Sequence, residues 1–137
     1  MRFEECLERG LIKSDPQASR RIESSLEAAG RFLRSAERNL EIEEYEMAEI
    51  AAYNRTFHSA RSLLFARGYV ERSHYCLGIA LRSLYGGKIV DLLKTLDKLR
   101  LSRHNVLYGG ALVGREEAEF VIKFAKEFFD VVKIELS

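Results

Sequence analysis

The sequence predicts an all-α protein, an antiparallel bundle of four to five helices. Three observations carry this. There is one proline in 137 residues, and Glu, Arg and Leu, which lose little on entering a helix, are abundant. Apolar side chains recur at steps of three and four through several segments, the spacing of one helical face. No segment alternates apolar and polar residues as a half-buried strand does.

Taken in order, Arg2–Gly10 reads as a short helix or ordered arm, with a break from Gly10 to Ser14. Residues 1–13 are thus an N-terminal arm on a single domain covering 1–137. Ser14-Asp15-Pro16 combines a capping side chain with proline in the first turn, a helix start. Ile22, Leu26, Ala29, Leu33, Ala36 and Leu40 then extend one stripe, giving a helix from Asp15 to Leu40. Glu41, Glu43, Glu44 and Glu46 mark a turn and the N-terminus of the next helix, where the dipole favours carboxylates. That helix, Tyr45 to Arg67, carries Met47, Ile50, Tyr53, Phe57, Ala60 and Leu64, widened by Ala51 and Leu63. Tyr69–Ser73 bridges to a shorter helix with Leu77, Ala80, Leu81 and Leu84. A fourth spans Lys88 to Asn105 on Ile89, Leu92, Leu96 and Leu99, and Gly109-Gly110 ends it. The last, Arg115 to Ile134, repeats the rhythm with Ala118, Val121, Ala125, Phe128 and Val132. Phe65, Phe120, Phe124 and Phe129 lie outside the narrow stripes, which fits either a thick core or a second apolar face for a partner subunit.

Composition bounds the function. A chain with 47% apolar and 31% charged residues suffices for one core, and a formal net charge of +1 gives no bulk attraction to nucleic acid or an anionic membrane. Cys6 and Cys76 match no metal spacing or disulfide framework, so reduced thiols in a cytoplasmic protein are expected. The acids of MRFEECLERG argue against a signal peptide, and no apolar run approaches a membrane span. Neither a phosphate-binding loop nor a zinc-protease or serine-hydrolase signature is present. No metal or cofactor is expected. His74 and Cys76, two apart on a helix, point in different directions. His58 is expected at the core edge, bonded to an acceptor.

The informative stretch is LRLSRHNVLYGG, Leu99–Gly110. The next position on the fourth helix's apolar stripe is Arg103. A guanidinium on an apolar seam is costly unless it is paired, bound to a ligand, or reached by water. Arg100, His104, Asn105 and Tyr108 surround it. On the second helix, Asn54 and Arg61 are two turns apart and share a face. With Arg103 they line either a polar groove or a buried network that fixes helix register. Arg82 to Arg103 holds six cations against two acids, whereas Glu37 to Glu49 holds six acids against one cation.

Ala51–Leu77, AAYNRTFHSARSLLFARGYVERSHYCL, followed by LRLSRHNVLYGG, resembles the HEPN domains (higher eukaryotes and prokaryotes nucleotide-binding). More narrowly, it is similar to small stand-alone prokaryotic HEPN proteins encoded beside a minimal nucleotidyltransferase. The resemblance implies a helical bundle that dimerises so that its motif helices meet. It also implies metal-independent endoribonuclease activity in active members, many of them toxins restrained by the nucleotidyltransferase. Their motif is an arginine, a polar residue, and a histidine four to six residues after the arginine. Arg103 and His104 match its first two places, but Tyr108 stands where the histidine is expected.

RNA cleavage without a metal needs the 2′-oxygen deprotonated, the 5′-oxygen protonated and the phosphorane charge stabilised. A histidine can carry either proton and an arginine the charge; a phenol, with a pKa near ~10 in water, is a poorer base. His104, about 100° round the helix from Arg103, substitutes only by turning toward the cleft. Three readings stand side by side. One is a toxin-type ribonuclease using Arg103, His104 and Tyr108. Another is a catalytically weak module binding nucleotide, RNA or protein through Asn54, Arg61, Arg100 and Asn105. The third is a structural homodimer.

Overall fold

The computed structural model describes residues 1–137. It contains α1 (Phe3–Glu8), β1 (Ile12–Ser14), a 3-10 turn (Ala18–Arg21), α2 (Ile22–Glu41), α3 (Tyr45–Ala66), β2 (Tyr69–Glu71), α4 (His74–Leu84), α5 (Gly87–Gly109) and α6 (Arg115–Leu136). The all-α expectation is met, with one small departure. β1 and β2 pair antiparallel, Ile12 opposite Glu71 and Ser14 opposite Tyr69. Strands of three residues are too short to show alternation, so the apolar pattern carries no trace of them.

The centre of the bundle is α3. Alanines 48, 51, 52 and 60 of α3 and Ala28, Ala29 and Ala36 of α2 are all buried, small side chains that let neighbouring helices come close. A short turn joins α2 to α3, with Glu43 in the left-handed region (φ 63°). Five polar residues of α3, Glu49, Arg55, Thr56, Ser59 and Ser62, are buried too. Thr56, Ser59 and Ser62 donate to the carbonyls of Ala52, Arg55 and Ser59. Arg55 donates to the Ala29 carbonyl at 3.0 Å and covers the ring of Phe129. The expected seam of α6 is intact: Ala118, Val121, Ala125, Phe128 and Val132 are all fully buried. Phe65 and Phe124 are buried too, while Phe120 stands exposed.

Four details correct the sequence reading. The first long helix starts at Ile22, not Asp15. Ser14 is committed to the strand ladder, and Asp15 Oδ1 accepts from the Gln17 amide at 2.9 Å, closing a turn at Pro16. Met47 is 51% exposed and leaves the core stripe. The fourth helix runs to Gly109, four residues past Asn105, and Gly110 caps it at φ 69°. Lastly, Cys6 and Cys76 are not separate thiols. They form a disulfide, with Cα atoms 6.0 Å apart, because the β1–β2 pairing folds the arm onto α4. With both sulfurs bonded, the cysteines no longer point to a reducing compartment. The arm is part of the core, with Cys6 and Ile12 buried and Phe3 edge-on to Tyr69 at 5.5 Å. No helix is long and apolar enough to cross a membrane.

Candidate functional site

Glu49, Tyr53 and Phe57 follow one another at steps of four along α3, so they form a line on one face. Opposite this line lie the start of α4 and the C-terminal half of α5. Ser73 caps α4 by accepting from the Cys76 amide at 3.1 Å, which sets His74 at the first helical position. The His74 ring stacks on Phe57 with centroids 3.9 Å apart, and its Nδ1 is hydrogen-bonded to the Tyr53 hydroxyl at 2.9 Å.

From α5, Arg103 places its guanidinium 5.3 Å from the Tyr53 ring centroid. It is half-buried, forms no ion pair, and its Nε is buried without a partner. Arg100, one turn earlier, pairs with Asp97 at 3.0 Å and lies 5.3 Å from the Tyr75 ring. Between these residues and Leu93 is a crevice of about 20 Å³ lined by Tyr53, Phe57, His74, Asp97 and Arg100. That is room for about one water molecule.

The electrostatics follow from burial under cations. The His74 imidazole is pushed down to about 4, chiefly by desolvation and then by Arg103, Arg100, Arg61 and His58. The Tyr53 phenol is pushed up to about 12 by burial, against the pull of Arg103 and Arg100. Both are neutral at pH 7, so the pair is a dipolar platform beneath Arg103 and not a charged acid–base couple. At the far end of the line, Glu49 is 1% exposed. Its Oε1 accepts from the Ser102 hydroxyl at 3.2 Å, and its Oε2 has no partner. Burial first, then Glu117 and Glu46, raise its carboxyl to about 7 against the Ser102 bond.

The remaining candidates are placed as follows. His104, Asn105 and Tyr108 are exposed on the last turns of α5. The rings of His104 and Tyr108 meet at 4.9 Å. Asn105 contributes its backbone carbonyl, which accepts from Gly110 and Ala111. Arg61 is committed to Glu71, Nε to Oε1 at 2.6 Å, beside Phe57 and Phe65. Its charge bears on His74, and of the two arrangements open to Asn54, Arg61 and Arg103, a groove or a network, the Arg61 side is taken by this ion pair. Asn54 is half-buried. His58 does not have the expected acceptor: its Nδ1 is buried and unpartnered, and its ring stacks on Phe32 at 5.4 Å.

Two residues escape sequence reasoning. His74 draws notice there only beside Cys76, and nothing local in sequence points to Tyr53 as its partner. Glu49 falls within an acidic run, yet it stands four residues before Tyr53 on the same stripe, a signal that could have found it.

The model of the HEPN domain family matches residues 22–135. The chain belongs to the HEPN family. No curated protein compared with it matches. The match begins at the first residue of α2, so the arm and β1 lie outside it, while the HEPN part of the chain contains every candidate residue from Asn54 to Tyr108. Within this HEPN bundle, Arg103 is the cation that the fold leaves without a carboxylate at the edge of the α3–α5 seam.

Proposed function

We propose that this HEPN domain is a ribonuclease-type toxin component of a toxin–antitoxin pair, restrained by a nucleotidyltransferase. In this reading it acts on RNA at a cleft completed by a second copy. The observation that carries the reading is Arg103. Its guanidinium rests on the Tyr53 ring, its Nε finds no partner, and no carboxylate neutralises it. Such a group is matched by a phosphate, whose oxygens accept the paired donors of a guanidinium. Leu101, Leu107, Tyr108 and Leu112 are exposed on the last turns of α5 and just past it, apolar surface suited to a second α5.

The chemistry proceeds by in-line attack of the ribose 2′-oxygen on phosphorus. The P–O5′ bond breaks, leaving a 2′,3′-cyclic phosphate and a 5′-hydroxyl. Arg103 stabilises charge on the non-bridging oxygens, and Arg100 adds to the field. His104 and Tyr108 stand within reach of the same α5 end. One takes the 2′-proton or delivers a proton to the leaving oxygen. Tyr108 at the place of the motif histidine favours a second reading, in which the cleft binds RNA or nucleotide through Asn54, Arg61, Arg100 and Asn105 without efficient cleavage.

The test is cleavage of single-stranded RNA by the purified protein in EDTA. His104→Ala is expected to lower the rate about 10²-fold if its imidazole moves a proton. Tyr108→Phe lowers it similarly if the phenol does. If neither alters a real activity, the acid–base assignment fails; if no RNA is cleaved but RNA is retained, the binding reading replaces it. Sedimentation should show a dimer at micromolar concentration, and a monomer there removes the composite cleft.

A further inference from the structure

A second cationic feature lies on α2, outside the α3–α5 site. Arg31, Arg34 and Arg38 are exposed and succeed one another at steps of three and four, so they share one face. With Ser35 and Asn39 they line a groove that contains no apolar side chain. None of the three arginines is in an ion pair: Glu37 is taken by Lys126 at 3.2 Å, and Glu27 and Glu41, one turn beyond either end, do not bridge to them. Asn39 donates to the Ser35 carbonyl at 2.8 Å, which leaves the guanidinium groups as the free donors.

Resting on the RNA reading above, we propose that this face of α2 docks the phosphate backbone of single-stranded RNA and guides it toward Arg103. Like charges one turn apart repel, and a polyanion relieves that repulsion along the whole stripe. The stripe spans about 10 Å of helix axis, against about 3.4 Å per phosphate along a stacked strand. It therefore engages more than one phosphate. An all-polar groove lacks the aromatic or aliphatic anchors that a protein partner would need. In-line attack requires a strand free to rotate about its backbone, which selects single-stranded over duplex RNA.

A row of charges and packed rings lies between this face and the candidate site. The charges of Arg31 and Arg61 both bear on His58, and those of Arg61, Arg100 and Arg103 on His74. The rings of Phe32, His58, Phe57 and His74 lie between them, with adjacent centroids 3.9 to 5.5 Å apart.

The experiment measures binding of a labelled single-stranded RNA to the full chain across a salt series. The triple variant Arg31→Gln, Arg34→Gln, Arg38→Gln should bind at least about tenfold more weakly, and its slope of log K against log salt should fall by about 2, at ~0.7 per phosphate contact. A second triple, Lys88→Gln, Lys123→Gln, Lys133→Gln, removes equal charge from exposed positions outside α2 that hold no ion pair and should keep the wild-type slope. Equal losses in both triples would make the effect one of net charge and overturn the proposal. So would an α2 triple that binds RNA as wild type does. Loss of polyglutamate binding in that variant with RNA binding retained would assign the face to an acidic protein instead. Arg103→Ala separates the two inferences: if it loses RNA binding while the α2 triple does not, only the α2 proposal fails. A wild-type chain that binds no RNA overturns both.

Discussion

Arg103→Ala is expected to lower RNA cleavage by about 10²- to 10³-fold, the usual cost of deleting one preorganised donor to a developing oxyanion. The helical circular-dichroism signal should be unchanged. Arg103 holds no ion pair whose loss would strand a buried partner, and the Tyr53–His74 hydrogen bond does not depend on it. The same substitution has a second, independent readout. Arg103 is the largest of the charges depressing His74, so removing it should move the imidazole upward from about 4, toward 6.5. Titration of the His74 ring by NMR reports this directly. Cleavage that survives the substitution would show the site to be misassigned; an unmoved His74 would show that Arg103 does not sit on the Tyr53–His74 platform.

Glu49→Gln should make the protein more stable at pH 8, by up to about 3 kcal/mol, and leave it little changed at pH 4. The folded carboxyl titrates at about 7 against a reference of 4.5, and each pKa unit is worth ~1.36 kcal/mol. Below pH 4.5 the group is protonated in both states and costs nothing. Between 4.5 and about 7 the unfolded chain ionises while the folded chain keeps its proton, so stability is lost as pH rises through the window. Above about 7 the loss is complete, with a carboxylate held beside Glu117 and Glu46. Glutamine keeps the Ser102 contact and never ionises. His74 acts in the opposite sense, because its folded value lies below 6.5 and its contribution is lost as pH falls toward 4. The informative quantity is therefore the difference between wild-type and Glu49→Gln urea midpoints from pH 4 to pH 8. A difference that does not grow with pH would mean that Glu49 is solvated and unperturbed.

How much of the molecule is legible in its sequence depends on whether the signal is local. The α6 stripe and the bounds of α3 are readable because each apolar residue is placed by neighbours three or four positions away. Arg103 stands out for the same reason, as a charge on an apolar rhythm. Ser14-Asp15-Pro16 misleads because a capping sequence is also a turn sequence, and the strand partner that decides between them lies at Tyr69. The His58 acceptor fails similarly, and no local signal decides between a groove and a buried network for Asn54, Arg61 and Arg103. Phe32 and Glu71, which occupy those sides, come from other elements.

By itself, then, the sequence determined a helical bundle, the residues that form its seams, and the one guanidinium set against a seam at the end of α5. These are consequences of a repeat that each helix carries within itself. The tertiary structure alone decided that Cys6 meets Cys76, that His74 lies on Phe57 near Arg103, and that Arg61 is held by Glu71. Each of those contacts joins different elements, so the packing of one element on another sets it and no spacing along the chain records it.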